Sequence, residues 1–509
     1  MINSPEVKKL INLIKDSFRV RPNQNPVYID FSDNLERLKA KQHQVIFGRR
    51  GSGKSCLLVY FKNSISDKNS LEVYIEADEI KRLGYPDILT RLLLSIMEKI
   101  VASRNFWQKI IYANSKLNKS IKTLRKILDQ AENRQVKQEE NKSTNYTAKA
   151  EKGILSGAFG KTNSLGKLSE FQESKLDTLE RYLSDYKKAL QEEIKKRNLQ
   201  TIYILLDDFY LIKKERQPDV IDYLHRLVRG TEMYLKVGTV KHRTTLVRND
   251  GQTIGVVLNQ DIEPINLDRT LEDLTAPTQF LSSLLNSLGS KVGLSNPSTD
   301  LFNPHALEKL VIASGGVPRD FLTILVDAIE NAISQNKNHI TPTNVWKSAS
   351  SFSYQNKLKD LRVDVGADAK LIEKVFRDIL KFCINDKKRT SFLIAQEEAQ
   401  SEVDLHELIL QLMDGKLLHI IEPDTSAASN RPGRYEAYTL DFSLFMEPRK
   451  RGIQIVEFWN FDNDGRRTGV RESPIYSLEN AKKAITNDDD DDVATETLIN
   501  NFENEQTNL

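Results

Sequence analysis

Residues 48–55 read GRRGSGKS and follow directly on the apolar run Val45, Ile46 and Phe47. The spacing is Gly-x-x-x-x-Gly-Lys-Ser, and its chemistry is the binding of phosphate. Gly48, Gly51 and Gly53 lack a Cβ, so successive backbone N–H groups can curl round an anion. The next stretch, CLLVYF, is apolar and helix-like, and its first turn aims a positive dipole end at the same point. In such a loop Lys54 reaches the outer phosphate oxygens as a point charge, and the Ser55 hydroxyl takes one position on Mg2+. The expected cradle is Gly48, Arg49, Arg50, Gly51, Ser52, Gly53, Lys54, Ser55 and Cys56.

A bound triphosphate calls for a carboxylate at the end of another buried strand. TIYILLDDFY (201–210) supplies one. Ile202 to Leu206 are continuously apolar, as a strand covered on both faces requires, and Asp207 and Asp208 stand at its C-terminal tip, where open α/β sheets bind ligands. Asp207 is expected to hold Mg2+ through water, and Asp208 to polarise the attacking water.

The elements that must position these groups are strand-like runs at 43–48, 71–76, 201–206 and 233–240, alternating with helical patterns. That alternation predicts a parallel α/β sheet sandwiched by helices. A helix over roughly 86–103 follows the second run. An insertion, about 105–200, then separates it from the Asp-bearing strand. Leu117, Ile121, Leu124, Leu128 and Ala131, and again Leu176, Leu179, Leu183, Tyr186 and Leu190, recur at heptad-like steps. Two readings stand: an antiparallel helical arm about 30 Å long with a mobile tip at 141–168, or two helices packed flat on the sheet. From about 265 the pattern is mainly helical, with Thr341-Pro342 as a helix start. Residues 368–448 then spell helix, strand, two helices and two strands around the polar loop DTSAASNRPGR, the order of a winged helix.

These motifs together resemble the AAA+ and STAND branches of P-loop ATPases, most closely initiator-like members that end in a winged helix. The resemblance covers roughly 40–445, with the insertion outside it. It implies ATP as the nucleotide, with hydrolysis to ADP and phosphate. It also implies a polar residue near the γ-phosphate after the next strand, for which KVGTVKHRTT offers Thr239 and Arg243, and a lid arginine, for which SGGVPRDFL offers Arg319. A guanidinium in a water-poor cleft can follow charge on the γ-phosphate and couple it to lid position. The family's acidic pair usually ends in glutamate; Asp208 is one methylene shorter, which bears on the rate of hydrolysis more than on binding. Arg229, Arg243 and Arg248 are candidates for an arginine finger in a homo-oligomer. LSGAFG (155–160) echoes a transporter signature but lies far upstream of the acidic strand, and is set aside.

The divisions expected are an N-terminal helical segment (1–40), a nucleotide-binding core (41–265), a helical lid (266–365), a winged helix (366–448), a C-terminal extension (449–483) and an acidic tail (484–509). Val7, Leu10, Ile11, Ile14 and Phe18 share one helical face, so the first segment should dock on the core. At 509 residues and 39% hydrophobic content the chain can bury several cores, and no apolar run is long enough to span a membrane. Two cysteines, Cys56 and Cys383, make neither a disulfide framework nor a metal cluster, which fits a reducing, cytoplasmic setting. Net charge is +3, yet residues 484–509 hold Asp488 to Asp492, Glu496, Glu503 and Glu505 with no Lys or Arg, leaving a basic body.

That body is compatible with nucleic acid. The would-be reading helix of the winged helix, VDLHELILQLMD (403–414), carries Asp404, Glu407 and Asp414 but no cation, and makes a poor groove reader. Arg431 and Arg434 at the loop tip, with Arg449, Lys450 and Arg451, suit either contact with the DNA backbone or docking of a protein. Two functions follow. One is an ATP-hydrolysing subunit of a DNA-associated complex whose protein partner supplies the effector chemistry; the other is a STAND-type switch with slow turnover and a protein output.

Overall fold

The computed structural model describes residues 2–65, 67, 69–129, 159–365, 369–428, 431–444, 452–463 and 465–486. Residues 487–509 of the acidic tail, Arg449, Lys450 and Arg451, and most of LSGAFG and of the expected tip lie outside the described residues; 484–486 end the helix Leu478–Thr486.

Five parallel strands form the central sheet: β1 (Gln44–Phe47), β2 (Ser70–Glu76), β3 (Thr201–Asp207), β4 (Met233–Thr239) and β5 (Glu263–Asn266), in the spatial order β2-β3-β4-β1-β5. Every residue of β1 and β3 is buried, so their uninterrupted apolar runs serve two faces. The period of two sorts them. Ile46, Tyr74, Tyr203, Leu205 and Ile265 face α1 (Lys54–Ser64) and its Leu57, Leu58 and Phe61. Val45, Phe47, Val73, Ile75, Ile202, Ile204 and Leu206 face α2 (Asp87–Ala102) and α3 (Gln217–Val228) on the other side.

The insertion settles between its two readings through packing. Leu117, Ile121 and Leu124 of the helical stretch 116–129 are buried, and so are Leu179, Tyr186 and Leu190 of the helix Phe159–Arg197, all in the same core as α2 and α3. Both heptad faces therefore lie flat on the sandwich. An Arg104–Glu193 ion pair, 2.6 Å and buried at both ends, ties the long helix to the end of α2.

Beyond β5 come α4 (Thr275–Ser290), α5 (Ala306–Ala313), α6 (Pro318–Ser334) and α7 (Pro342–Val365). Thr341 caps the last of these, its Oγ1 accepting from Asn344 N–H at 3.3 Å. The N-terminal helix Pro5–Ser17 does use its apolar face, but against this helical layer rather than the sheet. Val7, Leu10 and Ile14 join Leu281, Leu285, Leu325 and Ile329, and Lys15 pairs with Glu330 at 2.9 Å. The reason is availability: both sheet faces are already covered.

The last unit holds α8 (Ala369–Leu380), α9 (Val403–Asp414) and an antiparallel three-stranded sheet of Ser391–Ala395, Tyr435–Leu440 and Leu418–Thr425, with Tyr435–Leu440 central. The extension after 451 belongs to the same core. Val456, Phe458, Val470, Tyr476 and Leu478 are buried in it, and Leu393 exchanges backbone hydrogen bonds with Pro474 and Tyr476, both 2.8 Å, along the sheet edge.

Candidate functional site

The loop after β1 and the tip of β3 open into one cleft of about 1260 Å³. Arg50, Gly51, Ser52, Gly53, Lys54, Ser55 and Cys56 line it from one side, Asp208 and Tyr210 from another, and Arg243 and Arg319 close it. The proximity has a topological cause: β4 alone stands between β1 and β3, and Gly238 on β4 keeps the passage narrow. A Cβ there would sit 2.8 Å from Asp207 Oδ1 and 3.1 Å from Leu58 of α1.

The loop is shaped for an anion. Gly51 and Gly53 take φ of +88° and +102°, which side chains resist, and α1 starts at Lys54 with its N-terminus on the cleft. A Cβ on Gly48 would collide with Ser52 Oγ. That hydroxyl is buried with no hydrogen-bond partner among the described residues, a donor waiting on an oxygen. Lys54 Nζ donates to the carbonyls of Gly48 (2.8 Å) and Arg49 (3.3 Å); burial pulls its pKa down, against the attraction of Asp208 and Asp207.

The acidic pair divides its work. Asp207 is fully buried, accepts from Tyr74 Oη at 2.8 Å and from Asp208 N–H at 2.9 Å, and is held beside the cleft rather than in its lining. Asp208 turns out into the cleft through a left-handed backbone, φ +54°. Burial, with Asp207 next, pushes its carboxyl up to about 6, opposed by Lys54 and Arg50. One hydroxyl, Ser55, and one adjacent acidic pair match the needs of Mg2+ in a phosphate site, where the ion keeps waters and phosphate oxygens as its other ligands.

Arg319 reaches the loop by its backbone, its N–H donating to Gly51 O at 3.3 Å, while its Nη2 donates to Phe18 O at 2.8 Å. Arg243 is buried at the cleft wall. Thr239 is buried and bonded to Thr244 Oγ1 at 2.6 Å, and its carbonyl takes the Gly48 N–H at 3.2 Å; it braces the loop's start and does not line the cleft. Arg248 is held by Asp219 and Asp250.

Two members of the expected cradle stand apart from the others. Gly48 and Arg49 do not line the cleft. Gly48 still continues β1, its N–H spent on Thr239. Arg49 spends its N–H on Asp268 Oδ1 at 2.8 Å and buries its guanidinium among Arg269 O, Gly315 O and His419, away from the phosphate side.

Sequence reasoning missed the wall formed by residues 18–21 and 24–29, whose Val20, Val27 and Tyr28 line the cleft together with Leu284, Leu288 and Leu322. This apolar end suits a flat base. The segment turns at 21–24, where Gln24 N–H donates to Arg21 O at 3.0 Å, forms neither helix nor strand and carries no periodicity; Pro22 and Pro26 were the only sign. Helix α9 also arrives here: Gln411 lines the cleft and Asp414 Oδ2 accepts from His242 N–H at 3.0 Å.

No protein-family model and no curated protein matches the chain. Among solved structures it is similar to Cdc6p from Pyrobaculum aerophilum, at 14% identity over 84% of this chain and 93% of that one, TM-score 0.35. It is similar to the Aeropyrum pernix ORC2 protein in ADPNP-ADP complexes, at 12% identity over 85% and 94%, TM-score 0.43. A third is the Walker-type ATPase paby2304 of Pyrococcus abyssi, at 12% identity over 84% and 98%, TM-score 0.40. The chemistry of the cleft rests on this chain's own residues, and the fold that carries them is a parallel, helix-sandwiched P-loop sheet followed by a helical layer and a winged-helix-like end.

Proposed function

We propose that the protein binds and hydrolyses ATP with Mg2+ and works as the ATPase subunit of a DNA-associated complex, a protein partner supplying the effector activity. The supporting observation is that a glycine cradle with a buried lysine and an acidic strand tip face one cleft with an apolar end. In this reading Arg50 to Cys56 hold the phosphates, Lys54 carries charge to them, and the apolar wall takes the base. Ser55, and Asp207 through water, would hold Mg2+, which would neutralise phosphate charge when bound. Asp208 orients and deprotonates water, Arg319 and Arg243 answer to the γ-phosphate, and Thr239 braces the loop. The helical layer 266–365 serves as lid, and Arg431 and Arg434 of the wing offer contact to a phosphate backbone. The test is ATP binding and turnover by wild type and Lys54→Ala, with and without duplex DNA across a salt series. Equal ATP affinity in the two proteins defeats the assignment; stimulation by DNA that fades with salt supports the DNA-associated role.

A second reading, a STAND-like switch with slow turnover, has one observation in its favour. Helix α9 is turned inward against the cleft, with Lys214 and Glu407 paired at 3.2 Å and Asp414 on the His242 N–H, so the winged-helix unit is latched to the core. A nucleotide that co-purifies, with turnover indifferent to DNA, would favour it.

A further inference from the structure

The guanidinium of Arg49 is a junction of four chain segments. It meets Asp268 Oδ1 at 3.4 Å just after β5, donates to Arg269 O at 3.1 Å and to Gly315 O at 3.1 Å in the turn before α6, and faces His419 Nδ1 at 3.3 Å in the winged-helix sheet. His419 continues the chain of contacts. Its Nε2 meets Asp441 Oδ2 at 2.7 Å, and Asp441 Oδ1 takes Lys357 Nζ at 2.7 Å and the Ser443 N–H at 3.2 Å. All four side chains are buried, with exposures of 8%, 3%, 0% and 4% for Arg49, His419, Asp441 and Lys357.

The geometry fixes the proton. Lys357 and Ser443 keep Asp441 an anion, so His419 donates from Nε2 and presents the Nδ1 lone pair to Arg49. Protonation of both ring nitrogens would aim an N–H at a guanidinium. Burial holds the imidazole below its ordinary pKa, which agrees with a neutral ring. The fit is tight, since a Cβ on Gly315 would strike the His419 ring. Removing one partner of such a buried network leaves the others unsatisfied, so its members act as a unit.

We propose that Arg49 and His419 form a positioning joint through which the winged-helix unit sets the rigidity of the phosphate loop and hence the rate at which nucleotide leaves. Arg49 touches no phosphate in this scheme. It anchors the first variable residue of the loop, by N–H and by side chain together, to whichever position the winged helix holds. The proposal rests on the reading of the cleft as a nucleotide site.

The test is the release of a fluorescent ADP analogue, chased with excess ADP, from full-length wild type, Arg49→Met, His419→Leu and the double variant, with melting curves for each. Each single change is expected to speed release about tenfold, and the double change no further, because either one opens the joint. His419→Gln, which restores a polar group to the pocket, should recover part of the loss. Release at the wild-type rate from both single variants overturns the joint, even if they melt earlier; so does a double variant showing the product of the two effects. If Met or Leu prevents folding, Arg49→Lys and His419→Ala are judged by the same two outcomes. A wild type that binds no nucleotide fails the reading of the cleft and the joint with it, whereas binding with unaltered release fails the joint alone.

Discussion

Tyr74 and Asp207 meet diagonally across neighbouring strands, the phenol donating to Oδ2 at 2.8 Å two residues before the register pair Glu76–Asp207. The contact uses one lobe of the carboxylate and fixes its plane; the Asp208 N–H fixes the other. Tyr74→Phe should cost about 1–3 kcal/mol in urea unfolding, the range for a buried acceptor left without its donor. It should also raise the Mg2+ concentration needed for half-maximal turnover severalfold while leaving nucleotide affinity without metal unchanged.

Asp208 faces the cleft with its carboxyl lifted to about 6 by burial and by Asp207. Below that pH it is protonated and cannot accept a proton from water, so kcat/KM for ATP should rise with pH through about 6 and level off above. Asp208→Asn should keep ATP affinity, lower turnover by about 100-fold or more, and abolish that acid limb. A limb that persists in the variant would assign it to another group.

Gly51 touches the start of α6 at close range. A Cβ there would stand 2.8 Å from Arg319 Cβ and 3.2 Å from Val317, at a φ of +88° that alanine resists. Gly51→Ala should destabilise the protein by about 1–3 kcal/mol and raise amide exchange in residues 314–322 as the turn before α6 is pushed off the loop. Gly53→Ala meets nothing within 4 Å, so it should carry backbone strain without the lid effect.

Asp414, at the inward end of α9, is raised by burial to about 7, with Arg243 pulling the other way. A carboxyl raised in the folded state lends stability below its unfolded pKa, and that contribution drains away as pH climbs through about 7. Asp414→Asn keeps an acceptor for the His242 N–H and removes the charge. Its melting temperature should exceed that of wild type by a few degrees at pH 8, and the gain should shrink as pH falls below about 7 and vanish only below the unfolded carboxylate range, about 4.

The sheet and its site were legible because each strand spent its residues on two buried faces or ended in chemistry: VIFG before the loop, TIYILLDD before the acids. Asp207, Asp208, Lys54 and Arg319 announce themselves by type and spacing. Arg49 does not. Within GRRGSGKS it reads as one more loop cation, and only the arrival of Asp268, Gly315 and His419 from 219 to 370 positions away turns it from the phosphate. The wall at 18–29 escaped for the opposite reason, being irregular chain with no repeat to detect. The heptad residues at 117–128 and 176–190 do pack, but their pattern was ambiguous, since a stripe of that width serves an arm and a flat-packed pair equally well; Ala131 lies outside the described residues.

The inward orientation of α9 has a consequence for the order of events. Gln411 and Asp414 are spent on the cleft side, so the C-terminal half of this helix is covered for as long as the two halves stay latched. Any macromolecule that grips α9 there must displace Lys214, His242 and Arg243 from it, and is thereby a competitor of the closed form rather than a passenger on it. Engagement and opening are then one transaction, and the cleft registers the visitor without ever being touched by it.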